Sequence, residues 1–266
     1  MATTKKTAIL AMMLAAIIFA GCDMQDHFIY FPDPVRPSAE ALASEGLMFW
    51  MASRDDYRGL IGAATGGAPG GTLIVFHGNA GKAVDRGFYT RILGPLGYRV
   101  ILAEYPGYGG RKGSRGEEQF VRDARQTVEM AFREYGAPVY LVGESLGCGV
   151  AAAVAGSASV PVKGIVLFTP WDTLLSVAES KAPAFIARVL LKDRYDSVAN
   201  LGNFAGATAI IGAERDDLVP IGHAQALYAS IPGRKRMWII QGAGHNDWLM
   251  FMGGDKFKEI MDFVTR

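Results

Sequence analysis

The sequence predicts a doubly wound, mostly parallel α/β sheet of about eight strands with a small helical cap insertion. Three observations predict it. Six short apolar runs, at residues 72–76, 99–103, 139–142, 164–168, 207–211 and 236–240, lack the alternation of a half-solvated strand, as strands buried on both faces do. Amphipathic or small-residue helical stretches separate most of them, notably 117–135 and 221–230. A Gly-x-Ser-x-Gly stretch, Gly143-Glu144-Ser145-Leu146-Gly147, joins a β-branched strand to the small apolar helix 148–155. In such sheets the functional site lies at the carboxyl ends of the strands.

The first 22 residues read as an address. Lys5 and Lys6 form a positive region, residues 8–19 an apolar run too short to span a bilayer, and Phe19-Ala20-Gly21-Cys22 a small-residue end. That ending resembles a bacterial lipobox, although Phe19 stands where Leu is usual. The resemblance implies Cys22 as the first mature residue, with diacylglycerol on sulfur and an acyl group on nitrogen. Asp23 resembles the signal retaining lipoproteins in the inner membrane of proteobacteria. Membrane attachment through Cys22 on the periplasmic face is therefore expected, two acyl signals giving stable anchoring where one is marginal.

Residues 1–21 carry Lys5 and Lys6 and no acid, so the 27 basic and 26 acidic residues of the whole chain become 25 and 26, a net charge of −1. No basic stretch marks a nucleic-acid surface. The two cysteines are not expected to pair: Cys22 is the lipidation site and Cys148 a packing residue in the helix behind Ser145. The four histidines are widely spaced without cysteine partners, so neither a metal nor a cofactor is expected.

The expected organisation is a signal peptide (1–21), a tether and edge segment (22–45) and one α/β domain (46–266), with the cap at about 170–205. Pro32 and Pro34 limit strand pairing in Phe28-Ile29-Tyr30-Phe31-Pro32. Alternating runs at 46–53 and 57–64 predict a hairpin turning at Arg54-Asp55-Asp56. Residues 66–71, mostly glycine, are a loop.

Reading the strand ends yields candidate chemistry. At the sharp turn around Ser145, side chains at 143 and 147 would collide, and glycine removes them. The following helix aims its N-terminus at negative charge developing there. His77-Gly78-Asn79-Ala80-Gly81 follows the strand 72–76. It supplies one backbone N–H of an oxyanion hole, Asn79 or alternatively Ala80, and Leu146 supplies the other. His77 is a weaker candidate base than His245 because it precedes the serine and shapes a loop. Glu104-Tyr105-Pro106-Gly107-Tyr108-Gly109-Gly110 ends the next strand; its aromatics, Tyr105 first, line the substrate pocket or pack beneath it. Pro220 suits the first turn of a helix, which leaves Asp216 and Asp217 in the preceding loop. Gly242-Ala243-Gly244-His245 closes the final strand, its glycines letting the loop fold back over the serine. In the insertion, Trp171, Leu174, Leu175, Phe185 and Val189 form an apolar acyl site or pack on the core.

The motifs His77-Gly78-Asn79-Ala80-Gly81, Glu104 to Gly109, Gly143-Glu144-Ser145-Leu146-Gly147, Asp216-x-x-Val219-Pro220 and Gly244-His245-Asn246-Asp247 resemble the compact α/β-hydrolases, in particular the serine-aminopeptidase-like group, over residues 28–266. The resemblance implies the α/β-hydrolase fold and a triad in the order Ser145, Asp216, His245. The acid is Asp216 because it stands three residues before the Val of Val-Pro; Asp217 is the alternative. It also implies hydrolysis of a small-molecule carboxylic ester, or a thioester or amide, through an acyl-enzyme. An acyl-thioesterase or lipid deacylase, and a non-catalytic envelope binding protein retaining the fold, are the other readings.

Overall fold

The computed structural model describes residues 25–53, 56–62, 70–157 and 159–266. Eight strands make one sheet: β1 (Leu47–Met51), β2 (Tyr57–Gly62), β3 (Thr72–Phe76), β4 (Arg99–Ala103), β5 (Val139–Glu144), β6 (Val162–Phe168), β7 (Ala207–Ala213) and β8 (Lys235–Ile240). Their spatial order is β1-β2-β4-β3-β5-β6-β7-β8. Strand β2 runs antiparallel to β1 and β4, and every pairing from β4 to β8 is parallel. Every residue of β3 and β5 is buried, which their continuous apolar sequence requires. At the edge, β1 exposes Met48 and Met51 and buries Leu47 and Trp50.

Besides the helical residues 25–29, nine α-helices are described: α1 (Ala39–Ser44), α2 (Phe88–Leu93), α3 (Glu117–Tyr135), α4 (Leu146–Ala155), α5 (Leu174–Lys181), α6 (Ala184–Leu190), α7 (Ser197–Leu201), α8 (Ile221–Ser230) and α9 (Gly254–Thr265). They cover both faces of the sheet. Ile74 and Phe76 of β3 join α3, α4 and α8 in one core, while Leu73 and Val75 join α1, α2 and α9 in the other. Helix α3 buries Phe120, Ala124, Val128 and Ala131, a stripe at helical spacing. Helix α4 lies close because its residues are small: a Cβ on Gly149 would come within 2.8 Å of the Tyr195 side chain. Helices α5, α6 and α7 lie within the expected cap, between β6 and β7.

The folded part begins a little earlier than Phe28: Gln25 is buried, as are Tyr30 and Leu42, and Tyr30 belongs to the main core. Phe31 and Pro32 pair in parallel with Ala80 and Gly81, outside the main sheet. Pro32 has no N–H, so the pairing rests on Phe31 N–H to the Asn79 carbonyl and Asp33 N–H to the Gly81 carbonyl. The folded domain therefore includes residue 25 onward. The expected signal peptide, Cys22 and Asp23 lie outside the described residues. Among the described residues no helix is long and apolar enough to cross a membrane.

Candidate active site

Strand β5 delivers Ser145 to the tip of a turn with φ 49° and ψ −112°. A non-glycine residue in such a region costs about 1–3 kcal/mol and persists only where its surroundings dictate it. Here they do. A Cβ on Gly147 would lie 2.0 Å from the Phe76 carbonyl oxygen, and one on Gly143 2.6 Å from that of Gly147. The flanking glycines thus let the turn press against the end of β3. Ser145 N–H donates to the Phe168 carbonyl (2.9 Å), which ties the turn to β6. Cys148 is a free, fully buried thiol whose Sγ–H faces the Gly143 and Phe168 carbonyls. Burial first, then the nearby Glu144 charge, pushes that thiol well above its ordinary pKa.

Two loops converge on the serine hydroxyl. His245 Nε2 lies 2.9 Å from Ser145 Oγ, and His245 Nδ1 lies 2.7 Å from Asp216 Oδ2. Asp216 is held in turn by the N–H groups of Leu218 (3.0 Å) and Val219 (2.7 Å) on its other oxygen. Both His245 and Asp216 are buried. Asp217 is exposed, and its carbonyl accepts from Lys181 Nζ. Of the adjacent acids, Asp216 is the one that reaches the imidazole. The His245 loop is pinned by Gly244 N–H to Asp247 Oδ1 (2.6 Å) and Gly242 N–H to Glu214 Oε2 (2.8 Å).

His77 has other partners. Its Nδ1 donates to the Gly78 carbonyl (2.7 Å), and its Nε2 meets Glu104 Oε1 (3.0 Å). Glu104 also accepts from Ala83 N–H (2.9 Å), so the pair shapes the loop after β3. In that loop Asn79 anchors the N-terminal segment: its Nδ2 donates to the Ile29 carbonyl and its carbonyl accepts from Tyr108 Oη. Leu146 opens α4 immediately after the serine and is buried.

A cavity of about 260 Å³ opens beside Ser145 and His245. Its walls come from Gly78 to Ala80, from Asp85, Arg86 and Phe88, from Glu144 and Thr169, and from Asn246, Trp248 and Leu249. Arg86 Nε donates to Glu144 Oε2 at 2.9 Å. Burial alone would lower the pKa of this guanidinium; the Glu144 carboxylate reverses that and raises it. Tyr89 lies behind them, its phenol pushed well up by burial and then by the Glu144 charge.

Two expected pocket residues are elsewhere. Tyr105 is buried beneath the site, where it stacks on Phe120 at 4.4 Å between ring centres and donates to the His77 carbonyl (2.9 Å). Trp171 is buried in the core, its indole N–H donating to the Tyr195 carbonyl (3.2 Å). Each ring has a polar tip that finds its acceptor inside the fold, so each turns inward. None of residues 170–205 lines the cavity beside Ser145; of the two readings of the insertion, Trp171 follows the one in which it packs on the core. No sequence motif marks Arg86 or Phe88 as cavity walls; Trp248 carries a signal, standing three residues after His245.

A family model described as serine aminopeptidase, S33, matches residues 67–192. Over 265 residues the chain is 31% identical to the uncharacterized protein Rv2307c of Mycobacterium tuberculosis, spanning 97% of this chain and 93% of that one. The chain belongs to the α/β-hydrolases. The lysophosphatidylserine lipase ABHD12 of Danio rerio is 27% identical to this hydrolase over 175 residues, 59% of this chain and 46% of the other. The esterase PF2001 of Pyrococcus furiosus shares its fold with a TM-score of 0.69 at 15% identity, covering 90% of the hydrolase and 98% of that chain. Among the described residues no cluster of His, Cys, Asp and Glu is suited to holding a metal ion.

Proposed function

We propose that this hydrolase is a serine esterase that cleaves small carboxylic esters through an acyl-enzyme on Ser145. The observation that carries the reading is the continuous relay Ser145 Oγ, His245 Nε2, His245 Nδ1, Asp216 Oδ2, with 2.9 Å and 2.7 Å contacts. A serine hydroxyl is a poor nucleophile until a base takes its proton, and His245 is in reach to do so. Asp216 accepts from Nδ1–H, fixes the tautomer that leaves Nε2 free to accept, and stabilises the imidazolium that forms. The Leu146 and Asn79 N–H groups stabilise the tetrahedral oxyanion, one such donor being worth about 2.7–4 kcal/mol. His245 then returns the proton to the leaving alcohol, and the same histidine activates the water that releases the acid.

The cavity supports a compact substrate. Its volume of about 260 Å³ lies below the roughly 300–1,000 Å³ of sites that enclose drug-sized ligands. The walls alternate aromatic rings, Phe88 and Trp248, with Asp85, Arg86, Glu144 and Asn246. Short acyl groups, as esters before thioesters or amides, fit that mixture better than long fatty chains. The chain is also proposed to be a lipoprotein anchored through Cys22 at the periplasmic face of the inner membrane, on the strength of the Phe19-Ala20-Gly21-Cys22-Asp23 sequence.

A panel of p-nitrophenyl esters of graded chain length, run beside the matching acyl-thioesters, tests the reading. The expected result is highest kcat/KM at short acyl chains, abolished by Ser145→Ala. No turnover of any ester or thioester by the folded native protein would favour the non-catalytic binding module instead.

A further inference from the structure

Helix α6, Ala-Phe-Ile-Ala-Arg-Val-Leu, carries one charged side chain, Arg188. A helix apolar around most of its circumference belongs inside something. Yet Ala187 is its one buried residue, and Phe185 and Val189 stand 72% and 71% exposed. Those two are one turn apart and point the same way. On the adjacent stripe Ile186 and Leu190 form, with Ala182, Phe28 and Ile29, a groove of about 220 Å³ lined by apolar side chains except for Gln25. Phe28 is itself 75% exposed. Three apolar side chains so far into solvent, beside an apolar groove, form a surface built to meet something apolar.

The N-terminal segment indicates what that is. Gln25 is buried against the cap: its Nε2 donates to Asp193 Oδ2 (2.8 Å) and its Oε1 accepts from Asp193 N–H (3.0 Å). Tyr30 Oη donates to the same carboxylate, and Asp193 Oδ1 accepts from Glu117 N–H (3.1 Å). The chain entering from Cys22 is therefore bolted to the base of the cap, and Gln25 itself lines the apolar groove. Cys22 precedes Gln25 by three residues, a reach of at most about 10 Å. Acyl chains on Cys22 must enter a bilayer within that distance of the groove.

We infer that the outer face of the cap, Phe28 with Phe185 and Val189 of α6, docks into the surface of the lipid bilayer that holds the anchor. This rests on the reading of Cys22 as a lipidated residue. Docking buries the exposed side chains among acyl chains and headgroups, and it fixes the orientation of the hydrolase where a lone flexible tether would leave it free to tumble. Arg188 lies on the flank, paired with Glu179 (2.6 Å) and still largely exposed, placed to reach headgroup phosphates while its stem covers apolar surface.

The test uses the full chain, purified from membranes and reconstituted into vesicles of phosphatidylethanolamine and phosphatidylglycerol. Phe185→Cys and Val189→Cys each carry a nitroxide, with Met48→Cys on edge strand β1 as the control for a solvent-facing apolar site. Cys148 does not compete for label, being fully buried with its thiol pKa raised by that burial. The expected result is that labels at 185 and 189 favour lipid-dissolved oxygen over an aqueous nickel chelate by at least about threefold relative to the label at 48. Equal exposure of all three labels to the chelate would overturn the proposal. So would shielding of 185 and 189 from both probes together with a dimeric mass, because a second copy would then cover the face. The mass of the N-terminal peptide reports acylation of Cys22 separately. If Cys22 is bare the anchoring reading fails, and flotation of the chain with vesicles then decides the docking face. Flotation lowered about fivefold by Phe185→Ser with Val189→Ser supports it, and unchanged flotation overturns it.

Discussion

Two loops at the carboxyl ends of strands each bury a histidine against a carboxylate, and they do different things. After β3, His77 meets Glu104 at 3.0 Å while its other nitrogen donates to a backbone carbonyl. After β8, His245 meets Asp216 at 2.7 Å while its other nitrogen faces the hydroxyl of Ser145. Burial and a carboxylate partner are common to both. The third group separates them: a carbonyl oxygen can only accept, so His77 is locked into its loop, whereas a hydroxyl can surrender a proton. A histidine–carboxylate pair is a scaffold until something reactive sits at its free end.

The difference can be broken experimentally, most strongly at His245. His245→Ala removes the base and should lower kcat for a short-chain ester by roughly 10⁴-fold or more, with a native circular dichroism spectrum. Asp216→Asn keeps the loop but supplies the wrong hydrogen-bonding partner to Nδ1, and should cost about 10⁴-fold in kcat. Asp217→Asn, one residue on and exposed, should stay within about threefold. Steady-state kinetics on the pair decide between the acids.

His77→Gln should split the other way. Losing a buried partner leaves Glu104 under-satisfied, at a cost of about 1–3 kcal/mol. The expected outcome is a thermal midpoint lower by several degrees with kcat reduced less than about tenfold. A collapse of kcat at unchanged stability would make His77 part of the chemistry. The smallest effect belongs to the cap. Phe185→Ser touches no wall of the cavity beside Ser145, so kcat/KM on a soluble ester should change by less than about twofold.

Much of this was legible in the sequence because the site sits where strands stop. Strand β3 and helices α3 and α8 fall where their periodicity places them; His77 and Ser145 follow a strand directly, and Asp216 and His245 lie in the loops just beyond β7 and β8. Long-range geometry was not legible. The pairing of Arg86 with Glu144 crosses 58 residues of sequence and has no local signature. Tyr105 and Trp171 look like pocket residues by position, but acceptors on the carbonyls of His77 and Tyr195 draw them inward. Residues 22–45 read as a tether and edge segment, with Pro32 and Pro34 limiting strand pairing. The burial of Gln25 and Tyr30 depends instead on Asp193, far along the chain, which receives both side chains.

The central claim is that Ser145 is the nucleophile of the His245–Asp216 pair. The most direct test is labelling of the native protein with a fluorophosphonate, followed by mass mapping of the adduct. The account predicts one adduct, on Ser145, absent from Ser145→Ala and much slower to form in His245→Ala, both variants being folded. An adduct on another residue, or undiminished labelling of folded Ser145→Ala, would contradict it.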